Sequence, residues 1–179
     1  MEIYLPKHRV LIGLLVLLAA AGSILVLLNR SGRSLAQAVG FDTGRGAALA
    51  GTKAFYSVDY HDSQDVWAAR LCALSTEPAC NFYQNTVAPF LWPEFEASQS
   101  VVTAEAGEPV MLAEEIAGTR GDAPMQVWQV AVTLSAPWPQ GDGLTSFPAH
   151  ILVVREANGW KFERFLLKDE LVKYIGEKQ

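Results

Sequence analysis

At 179 residues, half of them hydrophobic and 18% charged, the chain has the length of one globular domain with room for an appendage. Its net charge is −5, and the 14 Lys and Arg residues form no cluster, which argues against a phosphate-binding nucleic-acid surface. The three histidines, His8, His61 and His150, are dispersed and give no metal-ligand spacing with Cys72 and Cys80, and no Gly-rich phosphate loop follows a strand, so neither a metal nor a cofactor is expected.

After a short head, residues 1–9, the stretch 10–28 reads VLIGLLVLLAAAGSILVLL without a charge. As a helix it would be about 28 Å long, close to the apolar thickness of a bilayer, and it predicts a transmembrane helix. Lys7 and Arg9 before it and Ala19, Ala20 and Ala21 within it also fit a cleaved signal peptide. The apolar run continues through Ile24 to Leu28, however, where a cleaved segment turns polar, so an uncleaved single-pass anchor is the expectation. Small residues in the span, including Gly13, Gly22 and Ser23, either let helices approach closely or face lipid.

Orientation rests on two opposing signals. Arg30, Arg33 and Arg45 after the span outnumber Lys7 and Arg9 before it, which by itself disfavours export of the domain. Cys72 and Cys80, the only cysteines, lie close together in the domain, as a disulfide in an oxidising compartment would; two unpaired buried thiols are the alternative. The pair favours a cytoplasmic head and an extracytoplasmic domain. Residues 29–46, rich in Gly, Ser and small side chains, read as a flexible tether. The Asn29-Arg30-Ser31 glycosylation triplet within it abuts the membrane and carries no inference.

The domain, residues 47–179, opens with three helical patterns. Ala48, Gly51, Phe55 and Val58 share the first face, and that helix ends near Asp59. Asp62, with Asp65 three residues on, caps a second helix with the face Trp67, Leu71 and Leu74. Thr76 caps a third with the face Tyr83, Val87, Phe90 and Leu91, which Pro93 is expected to stop. Cys72 then falls late in the second helix and Cys80 early in the third. Four strand-like segments follow, at about residues 101–116, 125–134, 147–156 and 160–167. In the second, Trp128, Val130, Val132 and Leu134 alternate with Val127, Gln129, Ala131 and Thr133. Turn residues separate the strands, Asn158-Gly159 being the strongest hairpin signal, and residues 168–177 add a short final helix. The order predicts an α+β fold, three helices on a curved, mostly antiparallel four-stranded sheet.

A first helix ending in Tyr56-Ser57-Val58-Asp59-Tyr60, a second carrying Trp67, a third after Ser75-Thr76 and a sheet ending in Asn158-Gly159-Trp160-Lys161-Phe162 resemble the nuclear transport factor 2-like (NTF2-like) fold. With an N-terminal span and tether, the whole chain resembles the VirB8-like and TcpC-like proteins of conjugation and type IV secretion machines, and is similar to the Mce-associated membrane proteins. The resemblance implies a bitopic assembly subunit whose domain self-associates and contacts other channel subunits. TcpC-like proteins often carry two such domains, and this chain has length for one.

The same fold can also enclose a ligand or an active site, which would need a positioned acid or base. Asp59, grouped with Tyr60 and His61, and His150, which interrupts an apolar strand, are the weak catalytic candidates; a polar turn and a strand residue satisfied by one hydrogen bond are the plainer readings. The chain is therefore read as no enzyme. Trp92 and Phe95, flanking Pro93, and Trp138, in a Pro-rich turn, are candidate interface residues unless they fold back onto the sheet. The Arg120-Gly121-Asp122 tripeptide reads as an ordinary turn.

Overall fold

A computed structural model describes residues 40–114, 123–139 and 141–176. The expected head, the span at 10–28, Asn29, Arg120-Gly121-Asp122 and residues 29–39 of the tether lie outside the described residues. Among the described residues no helix is long and apolar enough to cross a membrane.

The elements run α1 (Gly44–Tyr56), β1 (Val58–Asp59), α2 (Gln64–Cys72), α3 (Glu77–Phe82), a π-helical turn (Tyr83–Val87), α4 (Ala88–Ala97), β2 (Val101–Val102), β3 (Ala104–Ala106), β4 (Val110–Glu114), β5 (Met125–Leu134), β6 (Ser146–Glu156), β7 (Gly159–Phe165) and α5 (Lys168–Ile175). Thr43, Ser63 and Thr76 cap the first three helices, each accepting a bond from a backbone N–H in the first turn. The α+β order and the antiparallel sheet are as predicted.

Antiparallel pairing links β3, β5, β6 and β7 in that spatial order, and β4 pairs with β5 on the same side as β3. The sheet therefore has five strands rather than four. The described part of the strand expected at 101–116 is three strands because the chain leaves β1 for β5 and then meets β5 at two separate places. Val101–Val102 pairs with β1 in a separate two-stranded sheet, Ala104–Ala106 takes the Val132–Leu134 end of β5, and Val110–Glu114 takes Gln126–Gln129. Gly159 opens β7 at φ +117, where a Cβ would also strike the Phe41 carbonyl oxygen, so the hairpin tip requires glycine.

The helices cover one sheet face. Val130, Val132 and Leu134 of β5, Ala149, Ile151 and Val153 of β6 and Phe162 of β7 form a core there with Ala47, Trp67, Leu71 and Phe95 from the helices. Gly51 lets α1 press onto the Phe162 ring, which a Cβ would approach to 2.3 Å. The opposite face has its own smaller core, in which Met125, Val127, Leu152 and Val154 lie under Leu166 and Leu171.

Several helix expectations need correction, beginning with the second helix, which is capped by Ser63 and not by Asp62. The first helix starts at Gly44, inside the stretch read as tether, and Phe41 exchanges two backbone hydrogen bonds with Trp160 at 3.0 and 2.8 Å, so residues 41–46 belong to the domain. That helix ends at Tyr56, and Val58, assigned to its face, lies in β1. Pro93 does not stop the third helix, which continues to Ala97. The π turn sits just before Pro89, where the Ala88 N–H reaches back five residues to the Tyr83 carbonyl. A proline clashes with the carbonyl four residues earlier, and a wider turn accommodates it. The extra residue rotates everything after it. The buried row becomes Tyr83, Ala88, Leu91, Trp92 and Phe95, and Phe90, expected inside, is 69% exposed.

Candidate functional site

The α2–α3 hairpin is the most heavily tied part of the helical layer. Cys72 and Cys80 are disulfide-bonded across it, with Cα atoms 4.5 Å apart. Its turn is sewn to the sheet: the Phe162 N–H donates to Leu74, the Thr76 N–H donates to the Phe162 carbonyl, and the Thr76 hydroxyl donates to the Glu163 carboxylate. Thr76 also accepts from the Ala79 N–H, so one buried hydroxyl caps α3 and fixes it to β7.

The two weak catalytic candidates occupy different sheets, Asp59 in the small β1–β2 sheet and His150 in the middle of β6. Asp59 Oδ1 accepts from the His61 backbone N–H at 3.0 Å and lies 2.7 Å from His61 Nδ1. These bonds hold its carboxyl below the usual carboxylate range. Both side chains are largely exposed, and the His61 ring lies against Tyr60. His150 pairs with Gln129 on the sheet face away from the helical core, and its carbonyl accepts from the Leu166 N–H. Partial burial pushes its imidazole pKa down, favouring the neutral ring. Asp59 thus stands at the end of β1 with His61 as its exposed partner, and His150 lies within β6; the two candidates are not brought together.

The three candidate interface aromatics are packed inward, which corrects their reading as surface contacts. Phe95 is wholly buried and Trp92 is 4% exposed, its Nε1 donating to Glu96 at 2.8 Å. Trp138 is partly buried: its ring stacks on Phe55 and meets Tyr56 and Phe95 edge-on, with centroids 5.0–5.7 Å apart. The β5–β6 loop thereby covers the open end of the helix–sheet core. Burial there pushes the Tyr56 phenol up to about 12, and Tyr83, whose hydroxyl donates to the Glu163 carbonyl, is also raised, by burial first and then by the Glu163 charge. Neither phenol ionises at neutral pH.

The surface instead offers features that the residue patterns did not single out. Val66, Phe82 and Phe90 are more than half exposed on the helical layer. On the sheet, Val110 and Met111 are 57% and 42% exposed on β4. Their signal was hidden because β4 read as the tail of one long strand.

Compared with known proteins, the chain matches no family model and no curated protein by sequence. Among solved structures it is similar to the periplasmic domain of DotI, with a TM-score of 0.53 and 13% identity over 68% of this chain and 90% of that one. It is also similar to a periplasmic fragment of TraM, with a TM-score of 0.50 and 14% identity over 68% of this chain and 91% of that one. At these identities the likeness is one of fold.

Proposed function

We propose that the chain is a single-pass membrane scaffold, an assembly subunit of a conjugative transfer or type IV secretion apparatus, whose extracytoplasmic NTF2-like domain works through protein contacts. The observation that carries this reading is the fold, shared over most of the domain with two periplasmic domains. The Cys72–Cys80 disulfide adds a compartment argument, since such bonds persist in oxidising surroundings. The charge-free stretch at 10–28 supplies the anchor, and the closed aromatic core and separated Asp59 and His150 suit a domain that uses surfaces rather than chemistry. Other channel subunits, the membrane and further copies of the chain are its partners; nucleic acid is not contacted directly.

Chemical cross-linking in intact membranes, with identification of captured proteins, tests this reading. Capture of envelope-spanning channel components supports it. Capture of Mce proteins instead would move the chain to a lipid-transport assembly. Asp59→Ala and His150→Ala are expected to leave assembly unchanged; loss of function in either, with folding and cross-links intact, would turn the reading toward a ligand-binding or catalytic domain.

A further inference from the structure

The two lateral edges of the sheet are finished differently. Beyond β7, Phe41 pairs with Trp160, and Leu74 and Thr76 take the N–H and carbonyl of Phe162. Beyond β3, the Ser57 hydroxyl accepts from the Ala104 N–H. On β4, by contrast, among the described residues no backbone group of Val110–Glu114 bonds outside the pairing with β5. This edge carries exposed Val110 and Met111 and no lysine. Edge strands of soluble domains usually bear charge, proline or a cover against pairing with another chain. Pro109 and a bulge between Met111 and Ala113 limit how far a partner could extend along β4 without closing the edge.

The charges flanking β4 select the partner. At its start, Arg45 from α1 bonds Glu108 at 2.6 Å, and its side chain remains 48% exposed. At its end stands exposed Glu114, which accepts from the Gln126 amide at 3.2 Å. One end therefore presents a half-exposed guanidinium already bonded to Glu108, and the other a carboxylate, 6 positions after Glu108. An antiparallel copy of the same strand brings each carboxylate to the other copy's guanidinium, twice per joint.

We propose that the outer edge of β4 pairs antiparallel with β4 of a second copy of this chain, about a two-fold axis near Met111, joining the two sheets and setting Glu114 of each copy beside the Arg45–Glu108 pair of the other. Main-chain bonds supply the attachment, Val110 and Met111 the apolar contact, and the end charges the register. The joint is short, so it suits chains already held in one membrane plane, where the effective concentration is high. This inference rests on the self-association included in the function proposed above.

The test uses the full chain in membranes, with Met111→Cys and, separately, Phe90→Cys as probes for a short bis-maleimide; the native cysteines are bonded to each other. Met111→Cys is expected to give a cross-linked dimer and Phe90→Cys little. Adding Val110→Lys or Glu114→Lys to Met111→Cys should lower the dimer yield roughly tenfold, because each change acts twice across the axis. Arg45→Glu should restore the Glu114→Lys dimer. Thermal unfolding of each variant in detergent checks that it is folded. Dimers through Phe90→Cys but not Met111→Cys would overturn the β4 joint while leaving self-association standing. Absence of dimer at both positions would likewise overturn the β4 joint, and capture of a different protein at Met111→Cys would overturn the second copy as occupant.

Discussion

The two cores on either face of the sheet contrast in how many elements enclose them. On one face Trp67, Phe95 and Phe162 are fully buried among α1, α2, α4 and the sheet, and a disulfide fastens the hairpin that closes the layer. On the other, Met125, Val127, Leu152 and Val154 rely on Leu166 and Leu171 from the last segment and α5, eight residues long. A core enclosed from several directions unfolds only with the domain, whereas one covered by a single short helix can open locally. The first sets global stability, and the second sets how readily α5 leaves the sheet.

Phe162→Ala should break this contrast most severely. It empties the space under Gly51 and costs about 3–5 kcal/mol, read as a lower midpoint in denaturant unfolding. Next is the hairpin staple. Cys72→Ser with Cys80→Ser should cost about 2–3 kcal/mol by freeing a loop of 8 positions in the unfolded chain, and reducing agent should lower the melting temperature of the native chain but not of the double variant. Leu171→Ala should cost about 2 kcal/mol, and hydrogen exchange should show α5 losing protection while α1 and β7 keep theirs.

The smallest effect concerns how α5 is held at its start. Glu170 accepts from the Leu167 N–H at 3.0 Å and from Arg164 at 2.6 Å, and these bonds lower its pKa from the usual 4.5. The folded value lies below the unfolded one, so the contribution is complete above pH 4.5 and is lost as pH falls through the lowered value. Glu170→Gln should remove about 0.5–1 kcal/mol at neutral pH and flatten the acid limb of the stability profile near α5. Equal acid sensitivity in wild type and variant would show that Glu170 does not hold the helix.

Much of the candidate surface was illegible because one local event moved it. A proline at position 89 widens the preceding turn, and the added residue exchanges Phe90 for Trp92 and Phe95 between surface and interior. Helical spacing assumes a constant period and so placed Phe90 inside, while the stop expected at Pro93 left Trp92 and Phe95 at a helix end, where either a surface or a folded-back position was open. Trp138 was ambiguous for another reason: a loop tryptophan is buried only if an open core end lies beneath it, here one lined by Phe55, Tyr56 and Phe95.

The sequence by itself determined the α+β order, the alternating apolar face Trp128 to Leu134, the Thr76 cap and the proximity of Cys72 to Cys80, because each follows from contacts between near neighbours or from a fixed repeat. Only the tertiary structure decided that residues 101–114 divide among two sheets, that α5 covers a second core, and that the outer edge of β4 has no strand partner among the described residues. Those depend on which distant strand supplies the hydrogen-bond partners, and the strand signal in the sequence is the same whichever neighbour a strand acquires.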